Sequence, residues 1–261
     1  MGDNIVSEKV IMKTDKILTG NSLKTIALLS MLIDHIGCLI IYPLYIDACW
    51  VDGVHMLGNT VPDKAKHIYL IYMFLRTIGR LAFPIYAFML VEGFLHAKDL
   101  KKYCGRLLVF AVISEVPYDI ANSHTLFNPT SQNVLWTFVI AIIMLWCLQK
   151  DNIRRKTGKT ILIISIAMVF SVLSVGGIGG ILLIASMYLF KNNKKKYLIA
   201  CIVSTVILAF QFMWIQLFSL LAIFLLEQYN GARGRGCKWI FYVFYPAHFL
   251  ILTFLTSIII R

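Results

Sequence analysis

Nine apolar runs succeed one another along this chain, at about 24–46, 68–96, 106–120, 133–149, 160–174, 178–190, 197–213, 214–228 and 239–260, with short polar loops between them. Such runs leave no room for a soluble fold. Hydrophobic residues make up 59% of the 261 and charged residues 15%, whereas soluble domains carry roughly 25% charge. In lipid every backbone N–H and C=O must be satisfied within its own segment, which selects the helix. The predicted fold is therefore all-α, a polytopic transmembrane helical bundle of about nine spans, within a range of roughly eight to ten. Several runs fall short of the ~20 residues a full crossing needs. Either these extend into their polar flanks or the bilayer thins around them.

The loops predict an orientation. Lys9, Lys13, Lys16 and Lys24 precede or open the first run. Later basic groups are Lys98, Lys101, Lys102 and Arg106; Lys150, Arg154, Arg155, Lys156 and Lys159; Lys191, Lys194, Lys195 and Lys196; and Arg233, Arg235 and Lys238. All lie on alternate loops, while the other side holds only Lys64, Lys66 and Arg261. Under the positive-inside rule this places the N-terminus in the cytoplasm and the C-terminus outside. It also explains the formal net charge of +12 without nucleic acid. Residues 1–22 read as a polar cytoplasmic tail and 23–261 as one transmembrane domain. The tail has no apolar stretch of the kind a cleaved signal peptide needs, and Val6 breaks the myristoylation pattern. Cys38, Cys49, Cys104, Cys147, Cys201 and Cys237 show no metal-ligand spacing. They read as small core residues, with no metal site and no disulfide framework expected.

Within the second run, Pro84 is expected to bend the helix, or to part a surface helix at about 66–79 from a true span at about 80–96. SVGGIGG at 174–180 reads as a tight outer turn.

Asp34 and His35 sit in the middle of the first run, where ionisable groups are costly to place and mark a functional site by default. Lys24 lies eleven residues earlier, about three helical turns and ~16 Å, so Lys24 and His35 share a stripe. The bland alternative is a buried hydrogen-bonded pair that orients the helix. Neighbouring residues on a helix point ~100° apart, so Asp34 is expected to meet Arg80, or a proton network, rather than His35 itself. Glu115 and Asp119 lie four apart on one face of the third run, and Arg76 and Arg80 are their expected ion-pair partners. Gln132 and Asn133 open the fourth run, either capping it or completing that cluster. Glu92 lies near the depth of Lys24, Lys98 and Arg106. His248, in the last run just after Pro246, is either a packing residue or a participant.

Four stretches carry a resemblance: SLKTIALLSMLIDHIG, then GRLAFPIYAFMLVEGFLHAKDLKKYCGRLLVFAVISEVPYDIA, then QNVLWT, and FYVFYPAHFLIL. From about residue 22 to the C-terminus the chain resembles the TraX family. That family is named for a conjugation-plasmid membrane protein that acetylates the N-terminus of the pilin subunit. More distantly it is similar to a superfamily of transmembrane acyltransferases, many of which carry an arginine ten residues ahead of an essential first-span histidine. Lys24, eleven residues ahead of His35, falls within one residue of that spacing with Lys in place of Arg, which holds the charge but loses the bidentate fork.

The resemblance implies an enzyme of a bacterial inner membrane. It would move an acetyl group from cytoplasmic acetyl-CoA to a peptide amine or a surface-glycan hydroxyl. Lys24, Glu92, Lys98, Lys101, Lys102 and Arg106 would then serve the donor. His35, as general base or transient acetyl carrier, would do the chemistry with Asp34 and Arg80. Glu115, Asp119, Gln132, Asn133 and His248 would serve the acceptor. Either role of His35 needs an uncharged imidazole, the form that burial favours. Arg80 or Asn133 would stabilise the oxyanion. The expected partners are acyl-CoA, the acceptor and the lipid bilayer, with homo-oligomerisation left open. The competing reading is a proton-coupled secondary transporter, since buried acids, histidines and arginines also build proton relays. Against it stands the lack of an internal repeat. A non-catalytic scaffold of an envelope assembly is the third reading.

Overall fold

The computed structural model describes residues 16–150, 157–211, 214–236 and 238–259; most of the N-terminal tail lies outside them. Among the described residues each of the nine apolar runs is largely helical. Helix α1 (Gly20–Ile36) continues through a π-helical turn (Gly37–Ile41) into α2 (Tyr42–Ala48). A small hairpin of β1 (Trp50–Val51) and β2 (Val54–His55) leads to α3 (Asp63–Gly79) and α4 (Ala82–His96). Then follow α5 (Leu100–Ser123), α6 (Val134–Gln149), α7 (Thr157–Ser171), α8 (Gly177–Leu189) and α9 (Lys194–Gln211). A 3₁₀ segment (Trp214–Leu221) runs into α10 (Ala222–Glu227), and α11 (Lys238–Ile259) closes the bundle.

Three stretches, Gly20–Ala48, Asp63–His96 and Trp239–Ile259, are long and apolar enough to cross a bilayer. Shorter apolar helices fill in at 134–149, 157–171, 177–189 and 214–227. The chain is a helical membrane protein. One of the short runs gains length by its geometry. A 3₁₀ helix rises about 2.0 Å per residue, so eight such residues followed by six of α-helix reach roughly 25 Å. Gln216, Ser219 and Ala222, spaced by three, face inward together with Ile215, while Trp214, Leu217, Phe218 and Leu221 face out.

The 34 residues of Asp63–His96 would measure about 51 Å as one helix, too long for a single crossing. The helix is interrupted at Arg80–Leu81, with Pro84 in the first turn of α4, where its missing N–H goes unmissed. The first run is broken more gently. Pro43 cannot bond the Leu39 carbonyl, the Tyr42 N–H reaches back five residues to Gly37, and Leu39 O accepts from Thr256 Oγ1 of α11 at 2.6 Å instead. The π turn thus begins just beyond His35 and is pinned by the last helix.

The α1 N-terminus, which begins at Gly20 inside the stretch assigned to the tail, docks on the loop before α11. Gly20 and Asn21 N–H groups donate to the carbonyls of Ala232 and Arg233. Thr19 caps the helix by accepting from Ser22 N–H at 3.2 Å. The α7–α8 turn needs Gly176, whose φ of 105° suits glycine alone, and Gly180, where a Cβ would stand 2.8 Å from the Phe83 ring. Asp99 caps α5 by accepting from the Lys102 backbone N–H at 3.0 Å, and that bond holds its carboxyl below the usual range. The cap therefore persists above the ordinary carboxylate pKa and lapses only as pH falls through the lowered value.

Candidate active site

His35 does not stand alone. Its Nδ1 lies 2.8 Å from His248 Nε2, and His248 Nδ1 lies 2.9 Å from the Phe244 carbonyl. A carbonyl can only accept, so His248 Nδ1 carries the hydrogen. For uncharged rings His248 Nε2 must then accept, and His35 Nδ1 donates to it. The chain of bonds ends on one atom, His35 Nε2, left with a lone pair and with no hydrogen bond to a described residue. Phe249 packs 4.7 Å from the His35 ring, and Phe244 stacks on His248 at 5.1 Å. His248 is buried, while His35 stays partly exposed. The arrangement orients the His35 ring through a second imidazole.

Asp34 faces away from this pair, toward α3. Its carboxylate takes Arg76 Nη1 at 2.6 Å and Arg80 Nη2 on its other oxygen. Arg80 Nη1 also donates to Gln216 of the 3₁₀ segment at 3.0 Å, and its Nε to the Arg76 carbonyl at 3.1 Å. Two guanidiniums on one carboxylate leave the cluster net positive, and Arg76 Nε is buried without a hydrogen-bond partner among the described residues. The close approach requires Gly79, because a Cβ there would overlap the Asp34 carboxylate. Gly79→Ala is expected to cost about 1–3 kcal/mol or more by overpacking, read as a lower thermal unfolding midpoint in detergent.

A second polar cluster lies on α5. Glu115 Oε2 accepts from Asn133 Nδ2 and from Trp136 Nε1, the latter at 2.7 Å. Asp119 accepts from the Asn128 N–H at 2.8 Å. Asn133 both caps α6, accepting from Leu135 N–H at 3.0 Å, and donates to the Ala111 carbonyl at 2.8 Å. Gln132 is tied through its backbone to Leu173 and Val175. Tyr118, Tyr245 and Phe249 form an aromatic layer between this cluster and the histidines.

At the end of the bundle where α1 begins, the cations gather in two places. Lys24 Nζ stands 5.9 Å from the Phe241 ring, and Phe241, Phe244 and His248 share one face of α11. The seam between α1 and α11 thus joins Lys24 to His35. On the other side of α11, Lys102, Arg106, Phe110 and Trp239 line a groove of about 630 Å³; Arg106 Nε is buried in the protein without a hydrogen-bond partner among the described residues. Lys98, just before α5, and Lys101, in its first turn, are exposed beside it.

The TraX protein family profile matches residues 19–256. The chain belongs to the TraX family. The matched span of this TraX chain contains every residue of both clusters and of the basic end. It is 27% identical over 205 residues to a probable fimbrial assembly protein FimC, serogroup H1, of Dichelobacter nodosus, covering 69% of this chain and 82% of that relative. No solved structure gives a significant match.

Three expectations change. Glu115 and Asp119 do not pair with Arg76 and Arg80, because α11 packs between α5 and α1 while α3 lies against α1, α2 and the 3₁₀ segment. His248 joins His35 instead of the α5 cluster. Glu92 lies away from Lys102 and Arg106, in a separate cavity with Lys191 and Lys194. Two residues of the Asp34 cluster lie outside the sequence-derived candidate set, Arg76 and Gln216. From sequence Arg76 is expected only as a partner for the α5 acids. Gln216 carries a signal in the sequence: it is polar within an apolar run and spaced by three from Ser219.

Proposed function

We propose that this TraX protein is an integral membrane acyltransferase that moves an acetyl group from acetyl-CoA to an amine or hydroxyl acceptor. The observation that carries the reading is the single free lone pair on His35 Nε2, fixed by the bonds through His248 to the Phe244 carbonyl. By the distribution of Lys and Arg the basic end faces the cytoplasm of a bacterial inner membrane. Lys102 and Arg106 beside an apolar groove suit the phosphates and pantetheine arm of coenzyme A, and Lys24 lies at the basic end of the α1–α11 contact that also holds His35.

In the transfer, His35 Nε2 takes the proton of the acceptor N–H or O–H as that atom bonds to the acetyl carbonyl carbon. The negative charge gathers on the carbonyl oxygen, and the net-positive Asp34–Arg76–Arg80 cluster is the nearby field that steadies it. The C–S bond then breaks, and His35 returns the proton to the thiolate. The Glu115–Asp119 cluster lies beyond the aromatic layer, where an acceptor would arrive from the far side. The fimbrial-assembly name of the Dichelobacter relative favours a peptide amine.

Mass spectrometry of membrane peptides and surface polymers from null and complemented cells tests the reading. One species should gain a single acetyl group with the gene present; identical spectra would contradict it. His248→Phe keeps an aromatic ring but removes the acceptor for His35 Nδ1. It should lower kcat by at least ~10²-fold with KM for acetyl-CoA little changed, whereas a packing defect would lower the yield of folded protein instead.

A further inference from the structure

The cavity that holds Glu92 encloses about 430 Å³ between α4, α8, α9 and α10 and shares no lining residue with the Trp239 groove. Its volume falls within the ~300–1,000 Å³ typical of small-molecule sites. Four charged groups line it: Lys191 and Lys194 are cationic, Glu92 and Glu227 anionic. Lys194 Nζ meets Glu227 Oε1 at 2.9 Å, and the Lys191 ammonium lies 5.6 Å from the Tyr188 ring. Glu92 is the deeper acid, its side chain 22% exposed against 42% for Glu227. The rest of the wall is mostly apolar, including Phe88, Leu95 and Ile223, with Asn192 and Tyr197 as its further polar residues.

The charged groups cluster where α4, α8 and α10 end and α9 begins. That is the level of lipid headgroups for a chain whose apolar helices cross the bilayer, and lysine stems reach there from apolar surface. We propose that this cavity binds the headgroup of a phospholipid bearing a primary amine. Its phosphate lies against Lys191 and Lys194, its ammonium against Glu92 and Glu227, and the start of an acyl chain along the apolar wall. The selection follows from charge. A purely anionic headgroup is drawn to the lysines but meets two carboxylates it cannot satisfy. A quaternary amine carries charge but no N–H to donate, whereas a primary ammonium has three. Coenzyme A phosphates face the same repulsion, which separates this cavity from the Trp239 groove.

Native mass spectrometry of the full chain, delipidated and re-exposed to defined lipids, tests the assignment. Phosphatidylethanolamine should be retained as one molecule with roughly tenfold preference over phosphatidylglycerol and phosphatidylcholine, about the effect of one charge-assisted hydrogen bond. Glu92→Gln with Glu227→Gln should reverse the preference toward phosphatidylglycerol. Lys191→Gln with Lys194→Gln should weaken retention of both. A merely destabilised variant cannot invert a headgroup preference. Equal retention of all three lipids by the unaltered protein, or displacement of bound phosphatidylethanolamine by free coenzyme A, would overturn the proposal.

Discussion

His35→Gln is expected to lower acetyl transfer by about 10²–10⁴-fold, the usual weight of a positioned general base, while the protein still folds. Glutamine keeps hydrogen-bonding capacity toward His248 Nε2 through its amide N–H, so the α1–α11 contact survives while the basic nitrogen is lost. His35 is partly exposed, and its one side-chain hydrogen bond among the described residues is to the uncharged His248 ring, so no buried charge is left behind. The double variant His35→Gln with His248→Phe should fall no further than His35→Gln alone, because residues acting as one unit are not additive. Turnover of labelled acetyl-CoA, normalised to folded protein from a thermal melt, checks both. Independent, additive losses would mean that His248 does not act through His35.

Asp34→Ala should act differently, through stability. The carboxylate is the shared partner of Arg76 and Arg80, whose side chains are 16% and 15% exposed. Removing one member of such a cluster strands its partners and typically costs about 3–5 kcal/mol. Replacing all three, as Asp34→Leu with Arg76→Met and Arg80→Leu, should recover much of the lost stability, since buried ion clusters are often no more stable than apolar packing. Unfolding midpoints in one detergent would show a deep drop for the single variant and a partial return for the triple. The triple variant, stable but without the positive cluster, should still fail to transfer acetyl groups. Activity at the level of the unaltered protein would confine Asp34, Arg76 and Arg80 to a structural role.

Local pattern foretold much of this architecture. The nine apolar runs are largely helical because their composition demands it, and Pro84 foretold the break that leaves Arg80 at the end of α3. Angular spacing on a helix was enough to turn Asp34 away from His35 and toward Arg80. What the sequence concealed was long-range packing. His35 and His248 lie 213 residues apart, and nothing local says that α11 packs between α1 and α5. The same ignorance sent Arg76 and Arg80 to Glu115 and Asp119, whereas those acids bond through one oxygen each to Asn133, Trp136 and the Asn128 backbone. The 3₁₀ geometry that carries Gln216 to Arg80 was hidden because its run is apolar enough to read as ordinary α-helix.

The account rests on His35 Nε2 as the reacting nitrogen. The direct measurement is release of free coenzyme A and transfer of label when the purified, reconstituted protein meets radiolabelled acetyl-CoA and a panel of peptides and glycans. The unaltered protein should transfer label to at least one acceptor, and folded His35→Gln should stay at background. A folded His35→Gln protein turning over at the unaltered rate would contradict it.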